Sequence, residues 1–297
     1  MTLLDRVAGA PITWGVCEVP GWGYQLPPET VLRQMREIGL RATELGPEGF
    51  LPDEPQDQAA TLREAGLAAV GQFVPVVLHD PGLDPRPTVE RAMDALVAAG
   101  AGVVVLAAAT GLEGYDARPE LTDDDWALVL RRLDELADAG AARGLVAALH
   151  PHVGTMVERR AEVERVLAGS RVGLCLDTGH LLVGGADPVA LAQQHAERVV
   201  HVHLKDVALG LAARVQRGEL AYGDAVRQSM YRPLGEGDLD LRALVDALEG
   251  AGYGGWYVLE QDTVLTRDPA APGAPDPVED ARRSLATLAA LAEEVAR

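Results

Sequence analysis

The sequence predicts an α/β chain folded as a (β/α)8 barrel, the TIM-barrel architecture, with residues 1–297 forming a single domain. Three observations predict it. Short apolar runs rich in β-branched residues alternate with longer stretches in which apolar residues recur with a 3.6-residue period. Eight such runs occur, each apolar almost without interruption, as expected for strands buried on both faces of a parallel sheet. No glycine-rich phosphate loop follows the first run, which counts against an open doubly wound sheet.

The expected strands are, in order, Ala8–Trp14, Ala42–Gly46, Ala69–Leu78, Val103–Ala108, Leu145–His150, Val172–Asp177, Val199–Leu204 and Trp256–Glu260. Between them lie amphipathic helices. Val31, Leu32, Met35 and Ile38 form one stripe. Trp126, Val129, Leu130, Leu133 and Leu136 form another, behind a Thr122 N-cap and the acidic turn Asp123 to Asp125. Leu285, Leu288, Leu291 and Val295 form the last. Gly39, Gly66, Gly140 and Gly252 stand where helices are expected to stop. Two connections are long: Asp206–Asp238, with helical character in Gly218–Arg227, and the Pro- and Ala-rich Thr263–Pro277. Both follow late strands, on the side where barrel sites are built. The first reads as a lid or an oligomer contact, and a homo-oligomer is one expected state.

Composition narrows the function. The formal net charge of −19 disfavours nucleic acid and anionic membrane surfaces, both of which repel it. The uncharged run Ala95–Leu112 has glycines at its centre and reads as a helix end, a turn and a strand, not a membrane span. The N-terminus lacks the apolar stretch of a signal peptide, so a cytoplasmic protein is expected. Two cysteines, Cys17 and Cys175, make no disulfide framework. Cys175 reads as core, and Cys17 lies in a loop near the expected site. Lys205 is the only lysine. An amine kept in a chain that otherwise uses arginine suggests a place for a compact, titratable cation.

Of the seven histidines, only His195 falls in a helical pattern. His79, His150, His152, His180, His201 and His203 stand at or just past strand ends. Neutral imidazole is a common metal ligand. Alternation gives His201, His203 and Lys205 one face of their strand, and His150 and His152 another shared face. Asp177 and Glu260 close neighbouring strands. Asp177, His203 and Glu260 are therefore expected to hold a divalent metal. The fourth ligand would be His150, His152 or Glu158. Mixed carboxylate and imidazole donors suit Mn, Co, Zn or Fe(II), and Mg less well. Lys205 is expected as a proton donor or oxyanion partner, against a rival Schiff-base role and a bland ion pair with Asp206 or Glu236. Trp14, Glu44, His79, His180 and His201 are expected to line the substrate site, His180 also as a support for Asp177.

The motifs Pro11-Ile-Thr-Trp-Gly15, Glu44-Leu-Gly-Pro47, Phe73 to Asp80, His150-Pro-His-Val-Gly-Thr155 with Glu158, Leu176-Asp-Thr-Gly-His180, His201-Val-His-Leu-Lys-Asp206, Pro233-Leu-Gly-Glu-Gly237 and Leu259-Glu-Gln-Asp262 resemble the xylose-isomerase-like TIM barrel superfamily of sugar isomerases, epimerases and dehydratases. Within it they are most similar to the inosose dehydratase branch. The resemblance covers nearly the whole chain. It implies ligands at Asp177, His203 and Glu260. Where the superfamily places a glutamate on strand five, this chain has His150, so either His150 replaces it or Glu158 reaches in.

The reaction the resemblance implies is dehydration of a cyclic polyol ketone such as inosose, within inositol catabolism, by a metal-dependent lyase through a metal-stabilised enediolate. Glu158, His152 and Glu260 are the base and acid candidates, beside Lys205. The alternative is an isomerase or epimerase of a keto-sugar, which shares the enediolate but returns the proton to carbon. A third reading is a sugar-binding subunit without turnover. An endonuclease is disfavoured by the charge and by too few histidines for three metals.

Overall fold

A computed structural model describes residues 2–271 and 276–295. The chain runs β1 (Val7–Gly9), α1 (Pro28–Glu37), β2 (Ala42–Thr43), α2 (Pro55–Ala65), β3 (Ala68–Ala69), β4 (Gly71–Val77), α3 (Arg86–Ala99), β5 (Val103–Ala109), α4 (Asp123–Ala141), β6 (Val146–Leu149) and α5 (Arg160–Gly169). It continues with β7 (Gly173–Asp177), α6 (Thr178–Val183), α7 (Pro188–His195), β8 (Val199–Leu204), β9 (Asp206–Val207), α8 (Leu209–Gln216), α9 (Tyr222–Arg227), β10 (Tyr231–Arg232), α10 (Leu241–Gly250), β11 (Tyr257–Leu259) and α11 (Pro277–Val295).

One sheet of nine parallel strands has the order β3-β2-β1-β11-β8-β7-β6-β5-β4. Its two ends are the same stave, because only Val70 separates β3 from β4. The Val70 N–H donates to Thr43 O at 3.0 Å, and its carbonyl accepts from Gly102 N at 3.4 Å on the opposite side. One residue thus closes the barrel, leaving eight staves and no free edge. The amphipathic stripes pack outside as expected: Val31, Leu32 and Met35 of α1, and Trp126, Val129, Leu133 and Leu136 of α4, are buried. Thr122 caps α4 in a capping box with Asp125. Leu285, Leu288 and Leu291 of α11 pack on the core, while the Val295 side chain lies outside the described residues.

Strand β8 matches its expected bounds. The first strand is shorter than expected. It ends at Gly9, and Pro11–Trp14 form a 3-10 turn, since Pro11 has no N–H to donate to a ladder. Gly140 lies inside α4 and is not its stop. A Cβ there would lie 3.4 Å from Leu145 O and from the Met93 side chain, a close approach of helix to sheet. The run Ala95–Leu112 is the end of α3, a turn and β5. No described helix is long and apolar enough to cross a membrane.

The insertion after β8 is more ordered than its sequence suggested. Strands β9 and β10 pair antiparallel, and α8 and α9 lie between them. Its Tyr222, Val226, Met230 and Tyr231 pack with Trp22 and Val153 from other loops in a small second core over the barrel mouth. Residues 272–275 of the long Thr263–Pro277 connection lie outside the described residues.

Candidate active site

Side chains at the C-terminal ends of four consecutive staves converge. His150 follows β6, Asp177 ends β7, His203 lies on β8 and Glu260 follows β11. One donor atom from each lies within 4.8 Å of the others. His150 Nε2 is 3.1 Å from Asp177 Oδ2, and His203 Nδ1 is 3.5 Å from the same oxygen. His203 Nδ1 is only 2.6 Å from Glu260 Oε2. Both of those atoms are buried and make no well-formed hydrogen bond. Two orphaned donors aimed at each other, flanked by an imidazole and a second carboxylate, fit a shared divalent cation. The set of two nitrogens and two oxygens suits Zn, Co or Mn.

Asp177 is fixed from behind. It is the N-cap of α6, and its Oδ1 accepts the backbone N–H of His180 at 2.7 Å. That leaves Oδ2 for the cluster. Lys205, two residues beyond His203, places Nζ 2.6 Å from Asp262 Oδ1, 3.3 Å from Glu260 Oε2 and 3.4 Å from Asp177 Oδ2. His180 Nε2 accepts from it at 3.0 Å. The Lys205 backbone is anchored by the Thr178 hydroxyl, which donates to Lys205 O at 2.7 Å. Gly179 lets α6 pass this close: a Cβ there would lie 2.6 Å from Lys205 Cβ and 2.7 Å from the Tyr231 ring.

Burial works against every charge here, and neighbours decide which survive. Burial opposes the Lys205 ammonium, but Asp177, Asp262 and Glu260 raise its pKa well above the ordinary range. Burial likewise opposes the Asp177 anion, yet Lys205 and His180 hold its carboxyl well below the usual range. His203 is raised well above the ordinary imidazole value because the anionic groups around it outweigh its burial. Burial dominates at His150, His152, His180 and His201, whose pKa values fall. Burial next to Glu260 raises Asp262.

A cavity opens above the cluster. Pro11, Ile12, Val16, Trp22, Phe73 and Tyr115 form an apolar wall. Glu44, His150, His152, Lys205, Glu260 and Asp262 form the polar part, with Glu18 and Cys17 also lining it. His152 donates Nδ1–H to the Val153 carbonyl at 2.7 Å, which leaves Nε2 as the bare nitrogen of a neutral ring. Its ring lies 5.8 Å from Tyr115 and 3.7 Å from His180, centroid to centroid.

Several expected residues lie elsewhere. Trp14 is a core residue, in the turn after β1, and does not line the cavity. His79 stands two residues past the end of β4, outside the cavity lining. Glu158 does not join the cluster. It is bound to Arg118 at 3.1 Å and accepts the Gly154 N–H at 2.8 Å. Of the alternatives for the fourth position, the structure brings His150 into the group. His180 supports Asp177 through its backbone, while its ring backs His152 and Lys205. His201 lies deeper in the barrel, its Nε2–H donating to Glu44 at 2.9 Å. Lys205 pairs with neither Asp206 nor Glu236; Asp206 instead accepts the N–H groups of Gly235, Gly237 and Leu239.

Sequence reasoning missed Asp262, Trp22, Tyr115 and Tyr222. Asp262 shares parity with Glu260, so alternation continued by two residues would have found it. The Tyr222 hydroxyl donates to Asp262 Oδ2 at 2.6 Å from within the insertion. Trp22 and Tyr115 come from loops and Tyr222 opens the short helix α9, where no period announces them.

A family model described as a xylose isomerase-like TIM barrel matches residues 32–291. The rhizopine catabolism protein MocC of Rhizobium meliloti is 34% identical over 273 residues, covering 86% of this chain and 81% of the relative. An inosose dehydratase of Geobacillus kaustophilus is 31% identical, covering 89% and 88%. Among solved structures, the IOLI protein with a bound zinc atom superposes with a TM-score of 0.67 at 16% identity, over 97% of this chain and 98% of that one.

Proposed function

Because the chain belongs to the xylose isomerase-like TIM barrel family, we propose that it is a metal-dependent lyase removing water from a cyclic polyol ketone of the inosose type. His150, Asp177, His203 and Glu260 would hold the metal. The observation that carries the reading is the convergence of these four side chains, from four consecutive staves, beneath a cavity lined by a neutral histidine and a buried lysine. When bound, the metal acts as a Lewis acid on the ketone oxygen and makes the neighbouring C–H more acidic.

The remaining work falls to the chain. His152 is the base: its Nε2 is bare, its ring is neutral, and it lines the cavity. It takes the proton α to the ketone. The electron pair forms the carbon–carbon double bond as the β-hydroxyl departs, and the proton now on His152 completes the water. Lys205, whose ammonium is paired with Asp262 and lies beside Asp177 and Glu260, acts electrostatically, beside the oxygen on which charge develops. The aromatic wall seats the apolar face of the ring and excludes water.

The test is direct. Purified protein is incubated with inosose and Zn, Co or Mn, and the dione is followed by ultraviolet absorbance. Turnover with loss of water supports the lyase. Deuterium wash-in at the α carbon without loss of water marks an isomerase or epimerase instead. No change in inosose with any metal, in a folded protein, excludes both.

A further inference from the structure

We propose that Glu44 is a positioning residue for the metal centre, which holds Nε2–H of His203 so that Nδ1 is the nitrogen turned toward the other ligands. The inference rests on the reading of His203 as a ligand. Glu44 is 3% exposed and sits just past β2. Its Oε1 is 3.0 Å from His203 Nε2. A carboxylate accepts only, so Nε2 carries the hydrogen and donates. The opposite nitrogen, Nδ1, is the atom lying 2.6 Å from Glu260 and 3.5 Å from Asp177. One imidazole thus joins a carboxylate on one side to the donor cluster on the other. That arrangement selects the tautomer, orients the ring and raises the basicity of the ligating nitrogen.

This contact is not an accident of neighbouring strands. In the barrel order β1 and β11 stand between β2 and β8, so Glu44 reaches across the interior to meet His203. His201, two residues earlier on β8, donates Nε2–H to the same oxygen at 2.9 Å and pins the carboxylate. The floor is cut to fit. A Cβ at Gly71 would lie 3.3 Å from Glu44 Oε1, 3.6 Å from His201 Cε1 and 3.2 Å from Val103 O. Only a hydrogen leaves the pair undisturbed. Glu44, His201 and His203 also present donor atoms close enough for a cation of their own. That would oblige His203 to bridge two metals through both nitrogens, and the metal count separates the two arrangements.

The experiment titrates metal-stripped protein with Zn2+ against a chromophoric chelator, for the wild type, E44Q and H203Q, with circular dichroism to check the fold. The Co2+-loaded forms are compared by visible spectrum. The expected result is one Zn per chain in the wild type, loss of binding in H203Q, and binding about 10- to 100-fold weaker in E44Q with altered Co2+ bands. Wild-type affinity in E44Q with binding lost in H203Q overturns the role of Glu44 and leaves the ligand reading standing. Wild-type affinity in H203Q overturns the ligand reading itself. Two Zn per chain, one of them lost in E44Q, makes Glu44 a ligand and overturns the positioning role. Should E44Q fail to fold, E44D is measured in its place. Its withdrawn carboxylate is expected to weaken Zn in the same way, and unchanged affinity there overturns the proposal.

Discussion

Lys205 Nζ donates to Asp262 Oδ1 across 2.6 Å, and both residues are buried, at 2% and 7% exposure. Asp177 and Glu260 lie within 3.4 Å of the same ammonium. The only lysine of the chain therefore pairs with three carboxylates at the barrel mouth.

Replacing Lys205 with Met should be costly before any chemistry is considered. It leaves three buried carboxylates without their cation, and breaking such a group costs about 3–5 kcal/mol. A divalent metal, bound more tightly once the ammonium is gone, should restore part of the loss. Urea unfolding of the variant with and without Zn2+ measures both effects. A wild-type midpoint in the metal-free variant contradicts the assignment.

Acid should destabilise the metal-free protein. His150, His152, His180 and His201 are neutral when folded, with His152 lowered to about 3. Unfolded, they take up protons as the pH falls through about 6.5, so stability present above that pH is lost on acidification. Asp177, Glu44 and Glu260, all lowered, add the same sign further down, near the ordinary carboxylate values. His203 opposes them, because its raised pKa contributes stability at low pH that is lost as the pH rises through its folded value. Asp262 and Glu18, both raised by burial, oppose them with the same sign as His203. The four histidines, which take up their protons on unfolding within this window, outweigh these three and give a lower urea midpoint at pH 5 than at pH 7.5. His152→Gln should flatten that slope, and an unchanged slope contradicts the neutral assignment.

Anionic analogues should bind poorly. Among the described residues, Lys205 is the only lysine or arginine lining the cavity, and it is already paired with three carboxylates. Glu18, Glu44, Glu260 and Asp262 face the same space. Phosphorylated or carboxylated rings are expected to inhibit at least about tenfold more weakly than the neutral ring, the equivalent of about 1.4 kcal/mol. Competition kinetics decide it, and equal inhibition contradicts this account of the cavity.

Gly179→Ala should disturb Lys205 without touching any ligand. The added methyl would meet Lys205 Cβ at 2.6 Å and the Tyr231 ring at 2.7 Å. Overpacking of this kind costs about 1–3 kcal/mol. The expected outcome is a lowered kcat with one Zn still bound per chain. An unchanged kcat contradicts the role given to Lys205.

The barrel was legible because its strands carry their own signal. Strand β8, Val199–Leu204, has the expected bounds, and its alternation placed His203 and Lys205 on one inner face. The donors at strand ends were legible for the same reason. What escaped the sequence depends on partners distant along the chain. Glu158 looked free until Arg118, 40 positions away, was seen to hold it. Glu44 looked like a substrate contact, and its engagement with His201 and His203 depends on the closure of the barrel. Trp14 and His79 were assigned by assuming that their strands continued, whereas β1 stops before Pro11 and β4 stops at Val77. Trp22 and Tyr115 sit in loops, and Tyr222 opens the short helix α9; their approach is set by packing over the mouth.

The most direct test strips the protein of metal, reloads it with Zn2+, Co2+ or Mn2+ singly, and follows inosose turnover against metal content in the wild type and in Asp177→Asn. The account predicts no turnover without metal, turnover with water loss in proportion to one metal per chain, and loss of both binding and turnover in Asp177→Asn. Full turnover in the stripped protein, or undiminished metal binding and turnover in Asp177→Asn, would contradict it.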